Sequence, residues 1–358
     1  MTHLFFYSTV FLGRCFYIVG GGLRITDPHN IMWRFNLVTH TWQEMSPMQE
    51  SRHSVSVTEL KGCIYAMGGY RVDGTSLRTA ERYQPNINQW TFIASMNEER
   101  ISASCTTLNN KIYICGGWSN RVLNTAEYYN PDTNQWSLTT PMGTHRVTVL
   151  KGYIYAMGGY RDDDGTLLRT AERYQPNINQ WTFIASMNEE RIRASCTTLN
   201  NKIYICGGWN NIRSLNTAEY YNPDTNQWTL ITPMGTPRCG LGVVAYMGHI
   251  FAVGGRDGSR DLRSAEAYDP VTNTWYDVLE MVHRHSYFGI AVMNKQIFVV
   301  SCTSRIIVEC YDYTTNTWSV VFSGIDHYHW VKCCVISGLP NMAEYCSPRE
   351  PIIPRTQV

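Results

Sequence analysis

Arginines recur at one position of this sequence, a few residues after a pair of glycines or the residues that replace it. The chain holds 24 arginines and 6 lysines, a bias that suits planar, two-pronged recognition of carboxylates. If the fold brings these loops together, the arginines would ring one opening and bind an acidic segment of a partner protein. The alternative is that each pairs with a carboxylate of its own loop, such as Asp73 or Asp257. The positions are Arg24, Arg71, Arg121, Arg161, Arg213, Arg256 and Arg305.

Aromatic residues directly follow four of the glycine pairs. Tyrosine and tryptophan at an exposed rim are typical anchors for a partner protein, because each buries a large surface on binding. The alternative is that each ring only covers the end of the hydrophobic core. The four residues are Tyr70, Trp118, Tyr160 and Trp209.

Two His-x-His pairs, His283/His285 and His327/His329, precede apolar segments that are typical of β-strands. Residues two apart lie on the same side of a strand, so four imidazoles could meet and bind a metal. The alternative is a set of exposed turn histidines, because Asp326 is the only further ligand type nearby. The sequence has no Ser-His-Asp or phosphate-loop pattern. We therefore expect no catalytic residue, no metal and no cofactor.

A repeated spacing indicates which elements position these residues. An aromatic residue and a tryptophan stand seven residues apart at seven places, and a glycine pair precedes six of them. Ser301-Cys302 stands before the seventh. Seven fixed spacings indicate a tandem array of one structural unit. The pairs are Phe35/Trp42, Tyr83/Trp90, Tyr129/Trp136, Tyr174/Trp181, Tyr221/Trp228, Tyr268/Trp275 and Tyr311/Trp318.

One unit, residues 52–96, has the pattern of four short antiparallel strands. Apolar runs at 54–60 and 63–67 flank a Lys-Gly turn, and Gly68-Gly69 ends the second run. Such a sheet cannot bury both faces alone, whereas sheets stacked around an axis share a core filled by tyrosine and tryptophan. The sequence therefore predicts an all-β propeller with seven four-stranded antiparallel blades. The alternative is a six-bladed ring with an extra or unclosed blade.

Two of the units occur twice. Residues 80–101 are identical to 171–192, and 103–118 are identical to 194–209, which indicates a recent duplication of two blades or an assembly error. We expect one propeller domain over residues 1–339 and a flexible, proline-rich tail over 340–358. The repeats cover about 4–48, 53–96, 101–142, 144–187, 192–234, 239–281 and 285–322, with a closing strand at 329–339.

Two places break the regularity of the array. Residues 4–12 and 330–339 compete for the innermost strand of the first blade, and the sequence leaves the choice open. In repeat four, Met142 to Leu150 spans eight residues, where Met48 to Leu60 spans twelve. We expect a shorter innermost strand there, with its alternation preserved because the loss is even. The seam beside it should be the weakest part of the ring.

The composition argues against several functional classes. The 358 residues are 44% hydrophobic, enough for one large core, and the net charge of +1 argues against electrostatic binding to nucleic acid or membrane. No run reaches the roughly 20 apolar residues of a membrane helix. Residues 4–12 are similar to the apolar part of a signal peptide, but no basic residue precedes them. The twelve cysteines lack CxxC spacing, which favours buried thiols and the cytoplasm.

The repeats resemble the kelch repeat over residues 4 to about 338. The resemblance is carried by the paired glycines, a Glu-x-Tyr element, and a tryptophan followed by Pro-Met or Ser-Met. Within that class the chain resembles the propellers of kelch-like adaptors of cullin-3 ubiquitin ligases. The resemblance implies substrate recognition in the ubiquitination pathway. It also implies partner contacts directly after the glycine pairs, at Arg256 among others, and just after the arginine that follows each methionine. The positions of this second kind are His53, Ser102, Arg193, Cys239 and Ser286.

The BTB and BACK regions, through which such adaptors bind cullin-3 and dimerise, are not found in this sequence. We therefore expect a monomer that binds a protein substrate and reaches cullin-3 only through a BTB region. The alternative is an actin-binding or scaffolding kelch protein. Some kelch propellers are copper oxidases, but no matching ligand set is found here, so we expect no enzyme.

Overall fold

The described part of the chain forms seven four-stranded antiparallel blades around one axis, which confirms the predicted propeller. In this computed structural model the residues described are 7–22, 27–142, 146–159, 165–302 and 306–323. In each blade the strands follow chain order, and the first strand of each blade faces the centre of the ring. The described residues include no helix that is long and apolar enough to cross a membrane.

The strands are numbered β1 to β28, with four in each blade. Blades 1 to 3 contain β1 (Ser8–Leu12), β2 (Cys15–Val19), β3 (Met32–Asn36), β4 (Thr41–Met45); β5 (Ser56–Leu60), β6 (Cys63–Met67), β7 (Ala80–Gln84), β8 (Gln89–Ile93); and β9 (Ser104–Leu108), β10 (Lys111–Cys115), β11 (Ala126–Asn130), β12 (Gln135–Leu138). Blades 4 and 5 contain β13 (Arg146–Leu150), β14 (Tyr153–Met157), β15 (Ala171–Gln175), β16 (Gln180–Ile184); and β17 (Ser195–Leu199), β18 (Lys202–Cys206), β19 (Ala218–Asn222), β20 (Gln227–Ile231). Blades 6 and 7 contain β21 (Gly242–Tyr246), β22 (His249–Val253), β23 (Ala265–Asp269), β24 (Thr274–Val278); and β25 (Gly289–Met293), β26 (Gln296–Cys302), β27 (Ile306–Asp312), β28 (Thr317–Ser323).

The innermost strand of blade 1 comes from the N-terminal side of the chain. β1 pairs with β2 along its whole length, so it occupies the place for which residues 4–12 and 330–339 were in competition. The predicted closing strand at 329–339 and the tail at 340–358 lie outside the described residues. The ring closes where Tyr7 and Phe16 of blade 1 pack with Phe298 and Val300 of blade 7.

Hydrophobic side chains fill the space between neighbouring blades. Among the described residues, one buried cluster lies at each of the seven junctions. Between blades 1 and 2, Tyr17 and Met48 pack with Tyr83 and Trp90, whose ring centroids are 5.2 Å apart. The seven-residue spacing therefore places the tyrosine and tryptophan of a repeat opposite each other on paired strands, where both face the preceding blade.

A hydrogen bond from the repeat tyrosine fixes the turn between the third and fourth strands. Tyr83 Oη donates to Asn88 Oδ1 at 2.8 Å, and Asn88 has a φ of 50°, a left-handed conformation that asparagine tolerates. Blades 3 to 7 repeat this bond. In blade 1 both partners differ, and Phe35 stacks on His40 with an angle of 5° between the ring planes.

The glycine pairs lie where the backbone of a neighbouring segment approaches closely. Gly69 has a φ of 101°, and a Cβ there would lie 2.8 Å from the carbonyl oxygen of His53, so a side chain is excluded. In blade 7, Ser301-Cys302 stand in place of the pair, and they form the last two residues of β26, which like β27 is a seven-residue strand.

The irregularity of repeat four lies in a connection and not in a strand. β13 has five residues, as β5 does, so the expectation of a shorter innermost strand is wrong. The four missing residues come from the segment between Met142 and β13, because the strand itself must keep its length to pair with β14. Side-chain alternation is preserved, since β13 pairs with β14 in the same register as β5 with β6. The weakness of this seam stays a prediction.

Candidate partner-binding surface

Two series of segments lie side by side at one end of the propeller. The glycine loops follow the glycine pairs between the second and third strands, and the inter-blade connections join each fourth strand to the next blade. In blade 2, Tyr70 of the glycine loop bridges to His53 of the connection, and their ring centroids are 5.0 Å apart. We call this end of the ring the connection face. Equivalent backbone bridges join Ile101 to Trp118, Ile192 to Trp209 and Cys239 to Arg256.

The arginines of the glycine loops differ in their partners. Arg71 pairs with Glu50 of the adjacent connection and lies 3.9 Å from Asp73. Arg256 Nε lies 3.4 Å from Asp261 Oδ1. Arg256 therefore pairs within its own loop, as the alternative interpretation expected, whereas the hydrogen-bonded partner of Arg71 belongs to the adjacent connection. Arg121 and Arg213 are exposed and have no carboxylate partner within the described ranges. Arg24, Arg161 and Arg305 lie outside the described residues.

The other predicted contact residues differ in exposure. Trp118 is 46% exposed, whereas Tyr70 and Trp209 are half-buried. His53 and Cys239 are buried, at 5% exposure each, and so offer little surface to a partner. Ser102 and Ser286 are half-buried, Arg193 is exposed, and Tyr160 lies outside the described residues.

Residues in left-handed backbone conformation line the mouth of the central channel on the connection face. Ser102 N donates to the carbonyl of Ser54 at 2.9 Å, and Gly240 N donates to the carbonyl of Arg193 at 2.8 Å, so these bonds link one blade to another. The Tyr287 ring covers Gly240, and the Arg193 guanidinium lies 5.8 Å from the centroid of that ring. Ser102 and Arg193 occupy equivalent places in duplicated repeats, so the two copies present different chemistry to the channel.

At four of the junctions whose side chains are described, a buried arginine links the two neighbouring blades, a feature that the sequence analysis missed. Arg52 is wholly buried, and its Nη1 donates to the carbonyls of Gly68 and Thr79 at 2.9 Å each. Its Nη2 donates to Glu81 Oε1 at 3.1 Å. Its own carbonyl accepts a bond from Gly21 N of blade 1 at 2.8 Å. The backbone of Arg52 is therefore tied to blade 1 and its side chain to blade 2. The four pairs are Arg52/Glu81, Arg100/Glu127, Arg191/Glu219 and Arg238/Glu266.

The charges of these pairs compensate each other inside the core. Burial lowers the pKa of the Arg52 guanidinium, and the charge and hydrogen bonds of Glu81 oppose that shift. Burial likewise lowers the pKa of Arg238 against the influence of Glu266. A guanidinium remains protonated under such conditions. The sequence marks both partners, the arginine by a regular Met-x3-Arg spacing and the glutamate by the Glu-x-Tyr element. The buried pairs were not predicted because charged residues are rarely wholly buried.

In blade 7 the arginine is replaced by His285, which is wholly buried. Its Nε2 lies 3.0 Å from Glu309 Oε1, and its Nδ1 lies 2.5 Å from Oγ of Ser301, the residue that replaces the first glycine. Burial tends to raise the pKa of Glu309, but the hydrogen bond and charge of His285, together with hydrogen bonds from Val282 N and His283, lower the pKa overall. The expectation of exposed turn histidines is therefore wrong for His285, while His283 is partly exposed and also contacts Glu309.

Little in the described residues supports metal binding or thiol chemistry. Within the described ranges, no group of three or more His, Cys, Asp or Glu side chains could hold a metal ion, and His327 and His329 lie outside those ranges. The cysteines whose side chains are described are free thiols. Burial raises the pKa of Cys115 and of Cys206 to about 12 each, so both are unreactive core residues.

Comparison with known families agrees with the geometry of the blades. Residues 6–189, more than half of the chain, match the KLHDC2/KLHL20/DRC7 Kelch-repeats domain, and residues 190–235 and 237–281 match the Kelch motif. The chain belongs to the kelch-repeat family. The resemblance of its repeats to the kelch repeat is thereby confirmed.

Curated kelch proteins are similar to parts of this chain. Kelch-like protein 23 of Mus musculus is 35% identical over 80 residues, 22% of this chain and 14% of that protein. Kelch-like protein 21 of Danio rerio is 39% identical over 64 residues, 17% and 10% of the two chains. An F-box/kelch-repeat protein of Arabidopsis thaliana is 30% identical over 54 residues, 15% and 14% of the two chains. Each match therefore spans only a small share of the relative's length.

Solved structures share the fold. YjhT superposes with a TM-score of 0.58 at 13% identity, covering 77% of this chain and 97% of that one. A fungal alcohol oxidase of the AA5 family, solved with copper, superposes with a TM-score of 0.67 at 15% identity, covering 80% and 67%. At these identities the likeness shows the architecture alone.

Proposed function

We propose that this kelch propeller is a protein-protein interaction module that binds its partner on the connection face. The observation that carries the proposal is that two equivalent glycine loops each contain a tryptophan and an arginine. One loop contains Trp118 and Arg121, and the other contains Trp209 and Arg213. Each loop presents an aromatic ring and an exposed guanidinium without a carboxylate partner in the described ranges. Aromatic and arginine side chains are the residues that most often dominate binding at protein interfaces. An acidic segment of the partner would suit them.

The finer proposal is that the module recognises substrates for a cullin-3 ubiquitin ligase in the cytoplasm. It rests on resemblance to kelch-like adaptors. The segments 66–70, 77–96, 240–275 and 333–345 resemble kelch-like protein 10 in particular, and this assignment stays a prediction beside the matches to kelch-like proteins 23 and 21. The alternative is an actin-binding or scaffolding kelch protein. A BTB region encoded upstream would support the ligase role, and co-sedimentation with actin filaments would support the alternative.

The experiment is capture of partners from cell extract with the unaltered chain and with an Arg121→Glu/Arg213→Glu variant. The matched control is Arg14→Glu/Lys295→Glu, because both residues are exposed in turns at the opposite end of the propeller and the change in charge is the same. All three proteins must show the same circular dichroism and Tm. We expect the first variant to lose a partner that the control keeps. Equal retention by both variants would contradict a binding site at these loops.

A further inference from the structure

Three inter-blade connections place a carboxylate at the same point of the connection face. Glu50 stands two residues before the buried Arg52, and its carboxylate accepts a hydrogen bond from the Thr79 hydroxyl and lies 3.0 Å from Arg52 Nη2. Between blades 2 and 3, Glu98 makes the same contacts with Thr125 and Arg100, and between blades 4 and 5 Glu189 does so with Thr217 and Arg191. The carboxylates are partly exposed, at 11%, 30% and 25% of their side chains.

The junction between blades 5 and 6 lacks this carboxylate. Thr236 stands two residues before Arg238, where these three junctions have glutamate, and Ser264 stands where the same three have threonine. Ser264 Oγ accepts a bond from Arg238 Nη2 at 2.9 Å, so its hydroxyl proton remains available to an acceptor. Thr236 and Ser264 both line a groove of about 340 Å³. The groove therefore includes the place that a glutamate side chain fills in the sister junctions.

The remaining walls of the groove are rich in arginine. Arg260 Nε donates to Asp257 at 3.1 Å, and Arg263 Nε lies 2.5 Å from Glu280. Arg284 Nη1 donates to a backbone carbonyl at 2.8 Å and has no carboxylate partner within the described ranges. Three guanidinium groups thus stand against two carboxylates, which leaves an excess of positive charge beside the unfilled position.

We propose that this groove binds a glutamate side chain from an acidic segment of a partner protein. The carboxylate takes the place that Glu50, Glu98 and Glu189 occupy in the sister junctions. It accepts a hydrogen bond from Ser264, lies against Arg238, and is attracted by Arg284. This inference rests on the proposed function, because it names the chemistry of the partner that the connection face receives. The groove lies on blades 5 to 7, and none of its lining residues belongs to the loops of Arg121 and Arg213, although the Arg213 loop accepts a hydrogen bond from Arg238 N through the Leu215 carbonyl.

The test is a titration of the chain into a fluorescein-labelled peptide of six glutamates, followed by anisotropy at low and physiological salt. A peptide of six glutamines is the control probe. Thr236→Glu supplies an internal carboxylate to Ser264 and Arg238, so we expect it to keep or raise the Tm and to weaken hexaglutamate binding at least tenfold. Thr236→Gln occupies the space without the charge and should weaken binding less. Arg284→Gln changes an exposed side chain and should weaken binding without unfolding the chain.

Two results would overturn the inference. One is hexaglutamate affinity that neither Thr236→Glu nor Arg284→Gln alters, and the other is a failure of hexaglutamate to bind the unaltered chain at any salt concentration. The proposed function would remain supported in either case if the Arg121→Glu/Arg213→Glu variant still lost a captured partner. Loss of the partner by Thr236→Glu in the same capture assay would extend the inference from the peptide probe to the natural partner.

Discussion

Replacing Arg100 with methionine should destabilise the junction between blades 2 and 3. The Arg100 side chain donates to the carbonyl of Gly116 at 2.9 Å, to the carbonyl of Thr125 at 2.9 Å, and to Glu127 Oε1 at 3.0 Å. Without it, the wholly buried carboxylate of Glu127 keeps Asn97 as a donor, through its backbone N at 2.8 Å and its side chain at 2.9 Å. Breaking a buried ion pair costs about 3–5 kcal/mol, and the Asn97 bonds place our expectation near 3 kcal/mol.

The assay is urea unfolding followed by tryptophan fluorescence, with hydrogen exchange at the amides of Ile101 and Trp118 as a local measure. Arg121→Met is the matched control, because it removes an exposed arginine of the same blade and should change the free energy of unfolding by no more than about 0.5 kcal/mol. A double variant, Arg100→Met/Glu127→Gln, should be less destabilised than the sum of its single changes, by roughly 2 kcal/mol. Equal costs for Arg100→Met and Arg121→Met would refute the structural role.

Three other changes test the junctions. Trp136→Ala removes a partly buried ring that packs against the cluster between blades 2 and 3, together with the bond from its indole nitrogen to the carbonyl of Ala94, so the free energy of unfolding in urea should fall by about 2–3 kcal/mol; a loss below about 1 kcal/mol would contradict its packing against this junction. The double change His285→Arg/Ser301→Gly recreates the arrangement of the sister junctions and should melt no lower than the unaltered chain, whereas His285→Arg alone should melt lower because Ser301 occupies the space. Since the pKa of Glu309 is lowered in the folded chain, its contribution is present above the ordinary glutamate pKa and is lost as pH falls through the lowered value. The Tm of Glu309→Gln measured on acidification should therefore fall less steeply than that of the unaltered chain, and parallel curves would exclude this linkage.

The spacing of local motifs was sufficient to predict the blades. Tyr83 and Trp90 lie seven residues apart because a four-residue turn and one further residue of each flanking strand separate them, and this geometry needs no knowledge of distant contacts. Gly69 combines a left-handed backbone that a side chain would strain with a close approach of the His53 carbonyl, and the recurrence of the glycine pair was enough to mark the position. The choice of the N-terminal strand for blade 1 was not predictable, because two segments of similar apolar pattern were available and only the packed ring distinguishes them.

The roles of individual arginines were predicted less well. Arg71 and Arg100 both lie close to a glycine pair in the folded chain. The Arg71 side chain is on the surface, whereas that of Arg100 is wholly buried. The two arginines differ in their position relative to the preceding methionine. The spacing after the methionine places Arg100 beneath the glycine loop of its blade, where it contacts Glu127. Interpretation by residue type favours the surface for every charged group. The buried ion pairs could only have been identified by asking which glutamate recurs at a core-facing strand position.

Departures from the repeat differ in whether a second change compensates them. In blade 1, Phe35 replaces tyrosine and His40 replaces asparagine, so a stacked pair of rings takes the place of a hydrogen bond. In blade 7, His285 replaces arginine and Ser301 supplies a partner for its second nitrogen. At Thr236 no neighbouring side chain among the described residues takes over the contacts of the missing glutamate, and the Ser264 hydroxyl and the Arg284 guanidinium line a groove. A compensated departure leaves the buried polar groups with hydrogen-bonding partners, so it creates no binding site for a ligand. An uncompensated departure at the surface leaves an unfilled position, and the equivalent repeats show which chemical group fits it.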